Sequence, residues 1–213
     1  MVTLGDYNTL KIVKRVDFGL YLDGGDDGEI LLPSRYVPEE LVANGSPIDK
    51  TLEVFIYLDQ DEKLIATTLR PLAKVGEFAW LECAWTNEYG AFLNWGLMKD
   101  LFCPFREQKQ RMVKGQRYYV YVMEDEKTHR LMATAKVERY QKKSGYELSL
   151  DFAEVLLTYL REHNGHCELG DKSPSEAIAA RFGVSKKIYK KAVGDLYRRR
   201  LINITESGIT LIT

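Results

Sequence analysis

The sequence predicts a multidomain chain in which two small five-stranded antiparallel β-barrels precede an α/β domain. Three observations carry that prediction. The first 140 residues repeat at one offset of 71 positions: Phe18-Gly19 returns as Tyr89-Gly90, Tyr21-Leu22 as Phe92-Leu93, and Pro33-x-Arg35 as Pro104-x-Arg106. A fixed period of that length marks two copies of one module. Both copies consist of short alternating apolar runs between turn residues. Beyond Leu150 the apolar period lengthens from two residues to ~3.6.

In the first copy, Thr9–Arg15 and Gly19–Leu22 read as strands on either side of Asp17-Phe18. Gly24-Gly25-Asp26-Asp27-Gly28 is a turn by composition. Glu29–Leu32 is a third strand stopped by Pro33, and Pro38–Val42 reads as one helical turn. Thr51–Leu58 and Leu64–Thr68 are the last two strands, joined by the polar turn Asp59–Lys63. Five strands in so short a stretch suit a small closed barrel of the OB-fold kind. The second copy keeps the order, with strands at Phe78–Trp85, Gly90–Trp95, Asp100–Cys103, Gln116–Met123 and Arg130–Lys136. Pro104–Met112 stands where the first copy has its helical turn.

Gln141-Lys142-Lys143-Ser144-Gly145 reads as a linker, after which Phe152, Val155, Leu156, Tyr159 and Leu160 share a helix face. Ser173-Pro174-Ser175-Glu176 carries a helix start, with Ser173 as N-cap and Pro174 as the first helical residue. That helix stops at Phe182-Gly183, and Ser185 caps a second one running from Lys186 to about Arg199. Leu201–Thr205 and Ile209–Ile212 form a hairpin around Glu206-Ser207-Gly208. Helix, helix-turn-helix and two-stranded wing are the order of a winged helix. The expected division is a first barrel at 1–70, a second at 71–140, a linker at 141–150 and a winged-helix domain at 151–213.

The net charge of -1 conceals an asymmetry. Residues 1–70 hold 7 basic and 13 acidic side chains, residues 71–146 hold 13 and 9, and residues 181–200 hold 8 and 1. A polyanion is drawn to the second module and the C-terminal helix, and away from the first module. No apolar run approaches the roughly 20 residues of a membrane span, and the N-terminus lacks the apolar stretch of a secretory signal. Three widely spaced cysteines, Cys83, Cys103 and Cys167, make no disulfide framework. The expectation is a reduced, cytoplasmic protein with no membrane association. No phosphate-binding glycine loop, nucleophile elbow or Cys-x-x-Cys pair is present, so no catalytic residue, metal or cofactor is expected. His163-Asn164-Gly165-His166-Cys167 reads as a turn rather than a metal site.

Phe18, Tyr21, Tyr89 and Phe92 are the first candidates for function. Paired rings on a small barrel can stack successive bases at about 1–3 kcal/mol each, whatever the base. The competing reading is that these rings fill the barrel cores. The glycine between them, Gly19 or Gly90, is expected to bend the strand so that both rings reach one face. Arg35 and Arg106 follow matched prolines and suit a phosphate or a surface ion pair. Trp85 and Trp95 add aromatic surface to the second module only. On the C-terminal helix, Lys187, Lys190, Lys191 and Arg198 share a face opposite Ile188 and Leu196, as a phosphate backbone requires. No Asn or Gln lies between Lys186 and Arg199 to read base edges.

Val-x-x-x-x-Phe-Gly-x-Tyr-Leu from Val13 and Tyr89-Gly90-Ala91-Phe92-Leu93 resemble the aromatic-Gly-Ala-Phe-Val signature of S1-type RNA-binding domains. Two such domains before a winged helix resemble the conserved virulence factor B family of bacterial RNA-binding proteins. The most specific stretches are Ile30–Pro33, Asp171–Ile178, and Phe182–Lys187 with Ala192–Tyr197. The resemblance implies RNA binding, regulation of gene expression in the cytoplasm, and no catalysis. Two features depart from the pattern. A third S1-type domain, typical before the winged helix, has no room between the second module and Leu150. The strand-three His of many such domains is Leu32 in one copy and Cys103 in the other.

The combined expectation is a non-enzymatic, post-transcriptional RNA-binding protein. Its second barrel stacks single-stranded RNA on Tyr89 and Phe92 with Arg106 at the backbone, and its basic helix adds phosphate contacts. The acidic first barrel is a candidate dock for a protein partner. The alternative is a winged-helix regulator of duplex DNA with the barrels as partner or effector modules. A third reading has the winged helix docking only on protein.

Overall fold

A computed structural model describes residues 1–43, 45–140 and 147–212. The first five strands are β1 (Tyr7–Val16), β2 (Gly19–Asp23), β3 (Glu29–Pro33), β4 (Thr51–Leu58) and β5 (Leu64–Thr67). They close into a barrel in the order β1-β2-β3-β5-β4. The pairings follow the antiparallel expectation except at one seam. There β3 and β5 run parallel, with Leu31 beside Ile65. A register shift between Ile12 and Lys14 bends β1, which pairs with β2 beyond it and with β4 before it. The helical turn α1 (Glu39–Ala43) lies between β3 and β4. The barrel core consists of Ile12, Leu20, Leu22, Ile30, Leu32, Tyr36, Val54, Ile56 and Ala66.

The second barrel has the same plan: β6 (Phe78–Thr86), β7 (Gly90–Asn94), β8 (Leu101–Pro104), β9 (Arg117–Glu124) and β10 (Leu131–Thr134), in the order β10-β8-β7-β6-β9. A 3-10 turn follows the third strand in both barrels, at Ser34–Tyr36 and at Phe105–Glu107, and only the first barrel adds α1.

The C-terminal region begins with α2 (Glu147–Glu162). That start precedes the expected domain boundary and shortens the linker, of which residues 141–146 lie outside the described residues. After it come β11 (His166–Cys167), α3 (Ser175–Phe182), α4 (Lys186–Arg198), β12 (Ile202–Thr205) and β13 (Gly208–Leu211). The wing is three-stranded, in the order β11-β13-β12, because His166 and Cys167 pair with Thr210 and Ile209. Gly208 makes that fit: a Cβ there would lie 2.0 Å from the Cys167 carbonyl oxygen. Helix α3 starts one residue later than its sequence suggests. Pro174 is at the N-cap position, and the Ser173 hydroxyl accepts from the Gly170 N–H at 2.9 Å instead of capping the helix. Gly183 ends the helix in the left-handed region at φ 69°, and the Ser185 hydroxyl accepts from the Ile188 N–H to start α4.

By its internal contacts the chain divides into two compact units. One comprises Met1–Glu77 with Phe92–Phe102 and Val122–Ala133, and the other Phe78–Ala91 with Cys103–Tyr121 and the chain from Thr134 onward. Within the first, Trp95 packs edge-on against Phe55 at 5.9 Å, and Arg130 pairs with Glu62. Within the second, one core joins α2, α3 and α4 to the outer face of β6 and β9. Phe152, Phe182 and Tyr189 gather there with Tyr119, while Phe78, Trp80 and Tyr121 pack at its edge. The strands can do this because their alternation is aromatic on one side. Trp80 stands opposite Tyr119 and Phe78 opposite Tyr121, while Ala79, Leu81 and Val120 are buried on the other side.

Candidate nucleic-acid interface

The aromatic pair of the first barrel lies at the β1–β2 turn. Phe18 is 58% exposed, Tyr21 is half-buried, and their rings meet edge to face at 6.4 Å. Tyr21 pairs across the strands with Lys14, whose Nζ lies 5.4 Å from the ring centroid. Lys14 escaped the sequence reading, although the hairpin register was a usable signal for it. Arg35 is exposed beside the ring of Tyr36, 5.8 Å from its centroid, with the Met98 sulfur 3.9 Å from Nη1. Gly19 is required for close packing rather than for bending the strand. A Cβ on it would lie 2.2 Å from the Leu32 carbonyl oxygen.

In the second barrel Tyr89 is 65% exposed and Trp85 44%. Neither ring is core. The Asn87 side chain fixes their connecting turn by accepting from the N–H groups of Tyr89 at 2.8 Å and Gly90 at 3.1 Å. Phe92, on β7, is half-buried and packs on Phe102 at 5.0 Å, so it offers less free surface than Tyr89. Trp95 departs from the expected aromatic surface. It is only 2% exposed, and its indole N–H donates to the Lys99 carbonyl at 2.7 Å. Arg106 is exposed in the turn after β8, where its carbonyl accepts from Lys136. Beside it lie two residues the sequence reading missed. The Arg111 guanidinium covers the Phe105 ring 3.4 Å from its centroid, and the Phe105 N–H donates to the Tyr89 carbonyl at 3.2 Å. No periodicity links Phe105 to Arg111, because the connecting segment is irregular. Leu32 and Cys103, at the strand-three position, are both fully buried. Burial pushes the Cys103 thiol up to about 12.

On α4, Lys187, Lys190, Lys191 and Arg198 are all exposed, opposite the buried Ile188, Ala192 and Leu196. The face is partly neutralised. Lys190 pairs with Asp171 at 3.1 Å and Arg198 approaches Asp195 at 3.8 Å. His163, Asn164 and Gly165 form the turn after α2, with the His163 ring stacked on Tyr159 at 3.9 Å. Among the described residues no helix is long and apolar enough to cross a membrane.

Residues 4–69 match the S1 domain family, and residues 154–211 match the family of CvfB-like winged helix domains. Conserved virulence factor B of Staphylococcus epidermidis is 25% identical over 222 residues, covering 99% of this chain and 72% of that protein. The chain is similar to conserved virulence factor B over almost its whole length. Staphylococcus aureus forms of conserved virulence factor B are 22% identical over 240 residues. Protein YitL of Bacillus subtilis is 25% identical over 270 residues, covering 91% of this chain and 89% of YitL. That alignment is longer than the 213 residues of the chain, so YitL carries residues that this chain lacks. A crystal structure of a multidomain protein with nucleic acid binding domains from Streptococcus pneumoniae shares the fold. Its TM-score is 0.53 at 19% identity, with 98% of both chains covered. An S1 domain and a conserved virulence factor B-like winged helix together indicate nucleic-acid binding.

Proposed function

We propose that the chain is a non-enzymatic, cytoplasmic RNA-binding protein that acts after transcription. Single-stranded RNA stacks on the barrel aromatics, foremost Tyr89 and Trp85, with Arg106 at the backbone, and Phe92 is a separate candidate ring. Lys187, Lys191 and Arg198 of α4 add phosphate contacts. The observation that carries this reading is the exposure of Tyr89 and Trp85 in a module that is basic overall. A ring left in water on a rigid barrel costs little conformational entropy when a base covers it. Phe18 and Tyr21 offer similar rings in an acidic module, where phosphate is repelled, which favours a protein partner there.

The test is binding of labelled single-stranded RNA to the wild type and to Tyr89→Ala/Trp85→Ala. Each lost stack weakens binding by about 1–3 kcal/mol, and unchanged affinity eliminates the stacking reading. The exposed basic face of α4 favours a second reading, duplex DNA binding by the winged helix. Competition at equal salt separates the two, since tighter duplex binding reverses the order.

A further inference from the structure

The segment after β8 is pinned at almost every position. The Gln108 side chain donates to the Cys103 carbonyl at 2.9 Å and accepts from the Met112 N–H at 3.1 Å. Lys109 donates to Glu138 and to the Gly183 carbonyl. Gln110 donates to the Ala180 carbonyl at 2.9 Å, and Met112 is buried. Arg111 stands between these anchors and is exposed. Among the described residues it makes no ion pair or hydrogen bond, and its guanidinium carbon lies 3.4 Å from the centroid of the Phe105 ring. Arg117 and Arg139 of the same unit differ, being paired with Glu162 at 2.8 Å and Glu107 at 3.5 Å. A guanidinium held flat on a ring keeps its in-plane N–H donors directed outward, with little side-chain freedom left to lose on binding. The Phe105 N–H is bonded to the Tyr89 carbonyl, so this donor fork is tied to the backbone beneath the most exposed ring of the barrel.

We propose that Arg111, stacked on Phe105, is a phosphodiester-binding fork. It grips the backbone of the strand whose base lies on Tyr89. The sequence repeat pointed to Arg106 at the backbone, and Arg111 joins it there as a second, pre-oriented cation. The proposal rests on the stacking reading above and adds to it a specific ligand group, a phosphate taken bidentately by a planar cation.

The experiment uses the full chain and a labelled oligouridylate, which has no guanine edge to attract an arginine. Affinity is measured over a series of salt concentrations for the wild type, Arg111→Ala, Arg111→Lys and Tyr89→Ala. Arg111→Ala is expected to bind about tenfold more weakly, with the slope of log affinity against log salt reduced in magnitude by about 0.7, one phosphate on a single strand. Arg111→Lys keeps the charge but loses the plane, and is expected to recover little of the affinity. Wild-type affinity in Arg111→Lys overturns the fork. So does an unchanged salt slope in Arg111→Ala, since no phosphate contact has then been lost. A defect in Tyr89→Ala alone overturns the fork and leaves the stacking reading standing. A defect in Arg111→Ala alone overturns the stacking reading and the joint site with it.

Discussion

The ring of Phe182, the last residue of α3, lies 5.9 Å from the ring of Trp80 on β6, so the winged helix packs directly on a barrel strand. Phe182 also contacts Phe152, Tyr159 and Tyr189 within 5.6 Å and is fully buried. Phe182→Ala is expected to cost about 3–5 kcal/mol. Because the core is shared, the helices and the β6–β9 face should unfold together. Denaturation followed by far-ultraviolet circular dichroism and by tryptophan fluorescence tests this. Two separated transitions contradict it.

Lysines on one helix face need not contribute equally to nucleic-acid binding. Lys190 already has a carboxylate partner in Asp171 at 3.1 Å, whereas no ion pair involves Lys187 among the described residues. Lys187→Glu should therefore weaken nucleic-acid binding more than Lys190→Glu, and the gap should shrink as salt rises. Titrations of both variants at two salt concentrations check the order. Equal losses at low salt contradict it.

Alkaline conditions should loosen both barrels. Burial raises the Cys103 thiol to about 12 from an ordinary 9.0, and the Tyr57 phenol to about 12 from 10.0. Both folds favour the neutral form. Their contribution is complete below the ordinary values and is lost as pH climbs through the raised ones, between about pH 9 and about pH 12. Urea midpoints across that range should fall, and less steeply in Cys103→Ala. A thiol reagent near neutral pH should reach Cys103 only after unfolding.

Gly19→Ala tests the reason for the repeated glycine. The added methyl would meet the Leu32 carbonyl oxygen at 2.2 Å, a backbone atom that cannot rotate away. A loss of about 1–3 kcal/mol is expected from forcing β2 off β3. Thermal unfolding of the variant measures it. Wild-type stability returns the glycine to a strand-bending role.

The barrel strands, the helix-turn-helix and the basic face of α4 were all legible in the sequence, because each rests on a local period or a turn residue. Signals that depend on what lies across space were not. Phe78, Trp80 and Tyr121 alternate with Ala79, Leu81 and Val120 as strand residues must, but alternation does not tell which neighbour an outward ring will meet. Trp95 looked like surface because its burial is supplied by Phe55, forty positions earlier. The two-residue strand His166–Cys167 is too short to show a period and exists only because β13 lies beside it. Arg111 was invisible for a related reason. Its partner Phe105 is reached through a segment shaped by hydrogen bonds to Cys103, Ala180 and Gly183.

The shared aromatic face has a consequence for how such modules can be recombined. A truncation after Tyr140 removes α2, α3 and α4 and uncovers Phe78, Trp80 and Tyr119 together. The liberated barrel would be left with a contiguous oily patch, the kind that drives self-association in otherwise soluble pieces. A soluble fragment at this end of the chain should therefore carry the barrel wall and the winged helix as a pair.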